Sequence, residues 1–245
     1  MRAKENSDNM KSFVLMSFIF WCVGAVQMAT AQGIERDNFL VVGVGVPVSD
    51  YGSSDINNDE ASFVLPGVSL AGATDFWIGE QAGIRIVSSA HLNGTDVDAI
   101  VEEAALLDPT LDWEVSSSGT IEFNGGVGAV GRTPFGRGTI KGFIAGGIGV
   151  INLPEQSVSA SDGTTFVTIT AEALTSFGFA WQSGIEFHSP IRNGRDFILG
   201  LSYSAAYYSG ERNERTVVNG SLVESTAFTS EVTTTMIHLR VGISL

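Results

Sequence analysis

The chain has 245 residues, 44% of them hydrophobic and 16% charged, too apolar for a solvated disordered chain. Its 13 basic residues stand against 27 acidic ones, a formal net charge of −14, which argues against a nucleic-acid partner because neutralising phosphates takes Lys and Arg. The 29 glycines follow no three-residue period, so a collagen-like chain is excluded as well.

Residues 1–31 read as a secretory signal peptide. Arg2, Lys4 and Lys11 give the charged start, diluted by Glu5 and Asp8, and an apolar run of about fifteen residues follows over 12–26, short of the ~20 that a spanning helix needs. Ala29-Thr30-Ala31 is an A-x-A cleavage site that makes Gln32 the mature N-terminus. The single cysteine, Cys22, lies inside this segment behind Trp21, where a lipidation signal would place a small residue. The mature chain, 32–245, is therefore expected to carry no disulfide and no thiolate metal site.

From Asn38 onward the dominant signal is alternation with period two. Eight segments are expected as strands: 38–48, 63–75, 82–92, 118–131, 139–153, 170–188, 196–208 and 230–245. The last is the clearest, with Ile237, Leu239, Val241 and Ile243 on one face and His238, Arg240, Gly242 and Ser244 on the other. Phe197, Leu199, Leu201 and Tyr203 repeat the pattern, as do Phe177, Phe179, Trp181 and Ile185.

Short connections (76–81, 132–138, 189–195) alternate with long ones (49–62, 93–117, 154–169, 209–229). The long ones are crowded with acids and the short ones carry Arg132, Arg137, Arg192 and Arg195. An even strand number, alternating connection lengths and uncharged apolar stripes predict an all-β fold, an eight-stranded antiparallel transmembrane up-and-down β-barrel over 32–245. A soluble β-sandwich would bury its large residues and expose the small and polar ones, and here those two faces are placed as a membrane requires.

The run Gly125-Gly126-Val127-Gly128, the Phe177-Gly178-Phe179 repeat and the terminal His238-Leu239-Arg240-Val241-Gly242-Ile243-Ser244-Leu245 resemble the eight-stranded outer-membrane β-barrel family of the OmpA/OmpX and opacity types. That family's last strand commonly ends in an aromatic residue, and this chain has Leu245 there. The resemblance implies a Gram-negative outer membrane, insertion by the barrel-assembly machinery, contact with lipid and lipopolysaccharide, and a monomer. It also implies a role ranging over envelope integrity, adhesion through an extracellular protein partner, complement resistance or weak solute permeability.

Chemistry is sparse. Gly126-Val127-Gly128-Ala129-Val130-Gly131 spells G-x-G-x-x-G, but Pro134 and Gly136 follow where a dinucleotide site needs a helix, so no cofactor is expected. Asp55-Ile56-Asn57-Asn58-Asp59 resembles half a calcium loop, yet Glu60 replaces the required glycine and Pro66 the closing glutamate, so no dedicated metal site is expected. Of the three histidines, His188 falls at the inner end and His238 in the bore, and only His91, near Ser88 and Ser89, reaches the outer rim. That set assembles no triad, and the chain reads as a non-enzyme.

Five charged residues on five strands, Arg85, Glu122, Lys141, Glu186 and Arg240, are expected to point into the lumen. Buried charges need partners, so Glu122 and Glu186 should pair with Arg85, Lys141 or Arg240 and close the bore. The other reading is a narrow diffusion pore whose selectivity these groups set. Finally, Thr95 and Asp98 form a capping box ahead of Val97, Ile100, Val101, Ala104 and Leu107 at helical spacing, with Asp108-Pro109 as the stop. This predicts an acidic amphipathic helix over 96–108 in the outer loop, carrying Asp96, Asp98, Glu102 and Glu103; a mobile solvated loop is the alternative.

Overall fold

The computed structural model describes residues 35–53 and 62–245, so the signal-peptide reading of 1–31 and the acidic stretch 55–59 lie outside the described residues. Among the described residues the chain runs β1 (Arg36–Pro47), β2 (Gly67–Trp77), β3 (Ala82–Asn93), α1 (Val97–Leu107), β4 (Asp112–Ser117) and β5 (Thr120–Phe135). It continues through β6 (Gly138–Leu153), β7 (Gln156–Ser161), β8 (Phe166–Ala171), β9 (Leu174–Pro190), β10 (Asp196–Val218) and β11 (Ser221–Ser244). Eight of these strands close a ring in the order β1-β2-β3-β5-β6-β9-β10-β11 and back to β1, with every pairing antiparallel. The seam joins the two ends of the chain, Phe39 facing Ser244 and Pro47 facing Met236. A closed ring leaves no unpaired edge, the one sheet arrangement that hydrocarbon tolerates.

The period-two pattern maps onto this ring directly. Leu40, Val42, Val44 and Val46 of β1, Phe177, Phe179 and Ile185 of β9, and Leu239 and Val241 of β11 all stand exposed on the outside. The residues between them, among them Phe39, Val41, Ser202, Ser204, His238 and Arg240, are buried within. Phe177 is 74% exposed and Ile148 71%. A continuous belt of such residues is a lipid-facing surface, since water-exposed apolar patches of that extent are rare in soluble proteins. No described helix is long and apolar enough to cross a membrane; the crossing elements are strands.

The interior is filled by side chains of mixed size, with glycine where strands approach most closely. A cluster of Phe39, Val41, Ala71, Ala73, Val87, Ala145 and Ile198 fills part of it. Where β5 meets β6 the backbones approach so closely that a Cβ on Gly128 would collide with the Ile144 carbonyl oxygen, and one on Gly147 with that of Gly125. The G-x-G-x-x-G run therefore lies inside a strand and serves packing.

Three of the four outer connections hold strand where loops were expected, the 93–117 one through β4. The stretch expected as a connection over 154–169 forms the β7–β8 hairpin, turned at Asp162-Gly163, with Gly163 at φ +84°. The Asp162 side chain accepts hydrogen bonds from the backbone N–H of Thr164 and Thr165 and from the Thr164 hydroxyl. Those bonds, Thr165's first, hold its carboxyl down at about 2. The stretch expected over 209–229 is a continuation of β10 and β11, which pair to Val218–Ser221 and turn on Asn219 (φ 48°) and Gly220 (φ 79°). Asn-Gly with both φ positive is the favoured two-residue hairpin turn, because its twist matches that of the strands. Above the barrel, β8 pairs with the outer part of β10, β7 with β8, and β4 with β7, so a five-stranded sheet β4-β7-β8-β10-β11 rises from the ring. The helix α1 packs against β4.

Candidate functional site

The lumen holds a charged cluster that is only partly the expected one. Arg85 is fully buried on β3, with Asp75 directly opposite on β2 and Gly128 opposite on β5. Its guanidinium donates to both oxygens of Asp75 (Nε 2.6 Å, Nη2 2.9 Å) and to both oxygens of Glu186 (Nη1 2.9 Å, Nη2 2.8 Å). The rings of Phe39 and Phe143 lie 4.8 and 4.3 Å from its Cζ. Two bidentate carboxylates on one planar fork are the strongest arrangement open to a buried guanidinium. Lys141 donates from Nζ to Asp75 (3.0 Å) and to Asp37 (2.7 Å), and Asp37 also accepts from the Trp77 indole (2.9 Å). His188 closes the cluster against Glu186 at 3.3 Å.

Arg85, Lys141 and Glu186 lie in one cluster, joined through two acids outside the expected set, Asp37 and Asp75. Asp75 was readable in principle. The short turn after β2 sets a register in which 75 faces 85, and an acid opposite an arginine on the inner face is a pair.

Glu122 corrects the expectation of an ion pair. It sits opposite His91, six residues up β3 from Arg85, which is about 20 Å at strand rise. Its Oε1 accepts from Asn124 (2.7 Å), Tyr208 (3.0 Å) and Thr234 (3.2 Å), all neutral donors. Arg240 likewise forms no ion pair among the described residues: its Nε and Nη2 are buried with no acceptor there. It is flanked by Gly43 and Gly200, which have no side chain to offer.

His91 lies inside the bore, not at the rim, because its position on β3 is an inward one. It is 2% exposed and stacks on His238 with centroids 4.6 Å apart. His91 Nε2 is 3.0 Å from Ser89 Oγ and His238 Nε2 is 2.8 Å from Ser204 Oγ. Neither Nδ1 meets a carboxylate, so a Ser–His pair exists without the acid that would orient it for nucleophilic chemistry. Among the described residues no group of three or more His, Cys, Asp or Glu is placed to hold a metal ion.

At the outer end the helix forms. Residues Val97–Leu107 are helical, one residue shorter at each end than the expected 96–108. The N-cap is Asp96, whose side chain accepts from the Ala99 N–H at 3.1 Å. Thr95, the expected cap, instead donates to the Ser118 carbonyl (3.2 Å) and bridges to Val64. Asp108 ends the helix, and Thr110, hydroxyl first and backbone N–H second, holds its carboxyl below the usual range. Asp98 and Glu102 are exposed, and Asp96 and Glu103 are half-buried. Asp96→Ala should cost α1 about 1 kcal/mol. Helical backbone shifts over 97–107 should weaken in that variant and stay unchanged in Thr95→Ala.

Between the barrel mouth and the outer sheet lies a cavity of about 380 Å³. Ile100 of α1, Val115 of β4, Val158 of β7, Leu153 and Val232 give it apolar walls. Arg212, 8% exposed, and Tyr51, 2% exposed, also line it. The Arg212 guanidinium donates to three backbone carbonyls, those of Glu172, Pro154 (2.7 Å) and Ala171 (3.2 Å). Burial lowers its pKa, and the charge of Glu155 opposes that effect.

No protein-family model and no curated protein matches this sequence. Among solved structures the chain is similar to Ail, the attachment invasion locus protein of Yersinia pestis, with 13% identity and a TM-score of 0.41 over 86% of this chain and 99% of that one. It is also similar to Neisserial surface protein A (12%, TM-score 0.38, 87% and 99% covered) and to the outer membrane protein OprG from Pseudomonas aeruginosa (13%, 0.41, 86% and 97%). On its own geometry, a closed antiparallel ring of eight strands with a lipid-type exterior and a polar, charge-bearing interior, the chain is an eight-stranded transmembrane β-barrel.

Proposed function

We propose that residues 1–31 direct export and are cleaved, and that 32–245 is inserted by the barrel-assembly machinery into a Gram-negative outer membrane as a monomer. Its work is then a surface interaction made by the outer sheet and α1, with the bore closed. The observation that carries this reading is where the structural investment lies. The chain extends β10 and β11 far beyond the ring, adds three further strands and sets an acidic helix against them, while Arg85 is clamped by two carboxylates across the lumen. The exposed acids Asp98 and Glu102, with Glu103 beside them, suit a basic patch on an extracellular protein, or divalent ions shared with lipopolysaccharide phosphates.

The test is attachment of non-adherent Gram-negative cells displaying the protein to epithelial cells. Wild-type cells should attach, and Asp98→Lys/Glu102→Lys/Glu103→Lys should lose most of that attachment while the heat-modifiable gel shift of a folded barrel persists. Attachment equal to that of vector-only cells would overturn the reading. Large, stable, ion-selective steps from the purified wild type in planar bilayers would favour the diffusion pore instead.

A further inference from the structure

We propose that the cavity at the barrel mouth is a binding site for a small single-chain carboxylate, its head on Arg212 and its chain along the apolar wall. This goes beyond the surface-interaction reading and does not depend on it.

The volume, about 380 Å³, lies in the range of small-ligand pockets and far below that of a two-tailed lipid. It has room for roughly a dozen water-sized groups, the size of a medium-length alkyl carboxylate. The walls are mostly aliphatic, with Ile100, Val115, Leu153 and Val158 contributed by four different elements. Such a lining discriminates by shape and burial, and it leaves orientation to the few polar groups present.

The polar lining comprises Ser62, Thr95, Thr120, Gln156, Ser230 and Tyr51, all neutral, and one charged group, Arg212. Arg212 is held in place by main-chain carbonyls, which fix its fork without cancelling its charge. Three of its five N–H groups are spent there, and Nη1 donates to no described residue. Among the described residues no carboxylate stands within 4 Å of it. The nearby acid Glu172 is occupied by Arg215 and Asn213, and Glu155 acts on Arg212 only from beyond ion-pair distance. A guanidinium buried to this degree without a counter-ion gains more from an anion than from any neutral partner. Tyr51 lines the same cavity, and its hydroxyl is buried with no hydrogen-bond partner. An arginine with no ion pair among the described residues, set beside an aliphatic wall in one cavity, describes an amphipathic anion as its occupant.

The experiment uses the full mature barrel in nanodiscs, titrated with octanoate and with octanol, with empty nanodiscs subtracted and ligand-observed NMR as readout. Octanoate should bind saturably at one site per barrel and at least tenfold more tightly than octanol. Val115→Trp, which takes up part of the apolar wall space, should weaken the saturable component, and Arg212→Gln should bring octanoate down to the level of octanol. If Arg212→Gln fails to give a folded barrel, the octanoate–octanol comparison and Val115→Trp still decide the matter. Equal affinity for the two ligands, no saturable binding above empty nanodiscs, or full binding in Val115→Trp would each overturn the proposal. Cell attachment in the charge-reversal test is unaffected by any of these outcomes, so the two readings fail separately.

Discussion

Asp75→Ala should lower the unfolding free energy of the barrel by about 3–5 kcal/mol, the range seen when one partner of a buried charge network is removed. Asp75 is fully buried and accepts from Arg85 twice and from Lys141 once, so its loss takes a carboxylate partner from two cations in the lumen. Glu186 still holds Arg85, but Lys141 would keep only Asp37, which sits half-exposed at the inner rim. Asp37→Ala should therefore cost far less, about 1 kcal/mol or below. Urea titration of the purified barrel in detergent, followed by loss of the fast-migrating unheated band on a gel, gives both numbers. A midpoint for Asp75→Ala that matches Asp37→Ala would show that Asp75 does not hold the cluster together.

Gly128→Ala should be equally damaging from a single added methyl group. The new Cβ would be driven into the Ile144 carbonyl and the Ala145 backbone, and backbone cannot step aside as a flexible side chain can. Strain of this kind costs about 1–3 kcal/mol even where side chains can adjust. A strand-to-strand collision should exceed that range and spoil the β5–β6 pairing. Gly125, three residues earlier on the same strand, has nothing within 4 Å of an added Cβ. Gly125→Ala should fold with wild-type yield, so the pair of variants separates close approach from glycine content. Refolding yield into lipid vesicles is the measurement, and equal yields would remove the argument.

Much of this was legible in the amino-acid sequence, and the reasons differ by element. Barrel strands announce themselves because one face meets lipid and the other a narrow polar bore, so Phe177, Phe179 and Trp181 alternate with Gly178 and Ala180. The strands β7 and β8 carry no such contrast. Gln156–Ser161 is half-buried at every position, and Ser157, Ser159 and Ser161 alternate with Gln156, Val158 and Ala160, a contrast in polarity too short and weak to stand out from a polar loop. The turns did leave a mark: Asp162-Gly163 and Asn219-Gly220 are both strong hairpin signals, and they outrank the polarity that suggested loops. The helix was legible through its caps, and the one-residue slip arose because Thr95 and Asp96 are both good N-cap residues. The site was less legible. The inward position of a charge follows from period two, but its partner follows from register, which turn lengths fix and composition does not. Hence Arg85 was found and Asp75 was not, and Glu122 was given a cation that lies too far down the strand.

The seam between β1 and β11 also governs how this molecule comes to exist. Phe39 and Ser244 are partners about 200 residues apart, so the ring has no way to close until the last strand has been delivered. Bringing ends that distant together carries an entropic penalty of about 5 kcal/mol, met in one step at the end of assembly. Until then β1 and β10 each present an open edge, the arrangement most prone to pairing with the wrong chain. Time spent unclosed is thus the hazardous part of its life. Once Phe39 to Pro47 have zipped against Met236 to Ser244, reopening must break that whole ladder inside a lipid that offers no substitute hydrogen bonds. The finished barrel should then be long-lived for kinetic reasons, whatever its equilibrium stability.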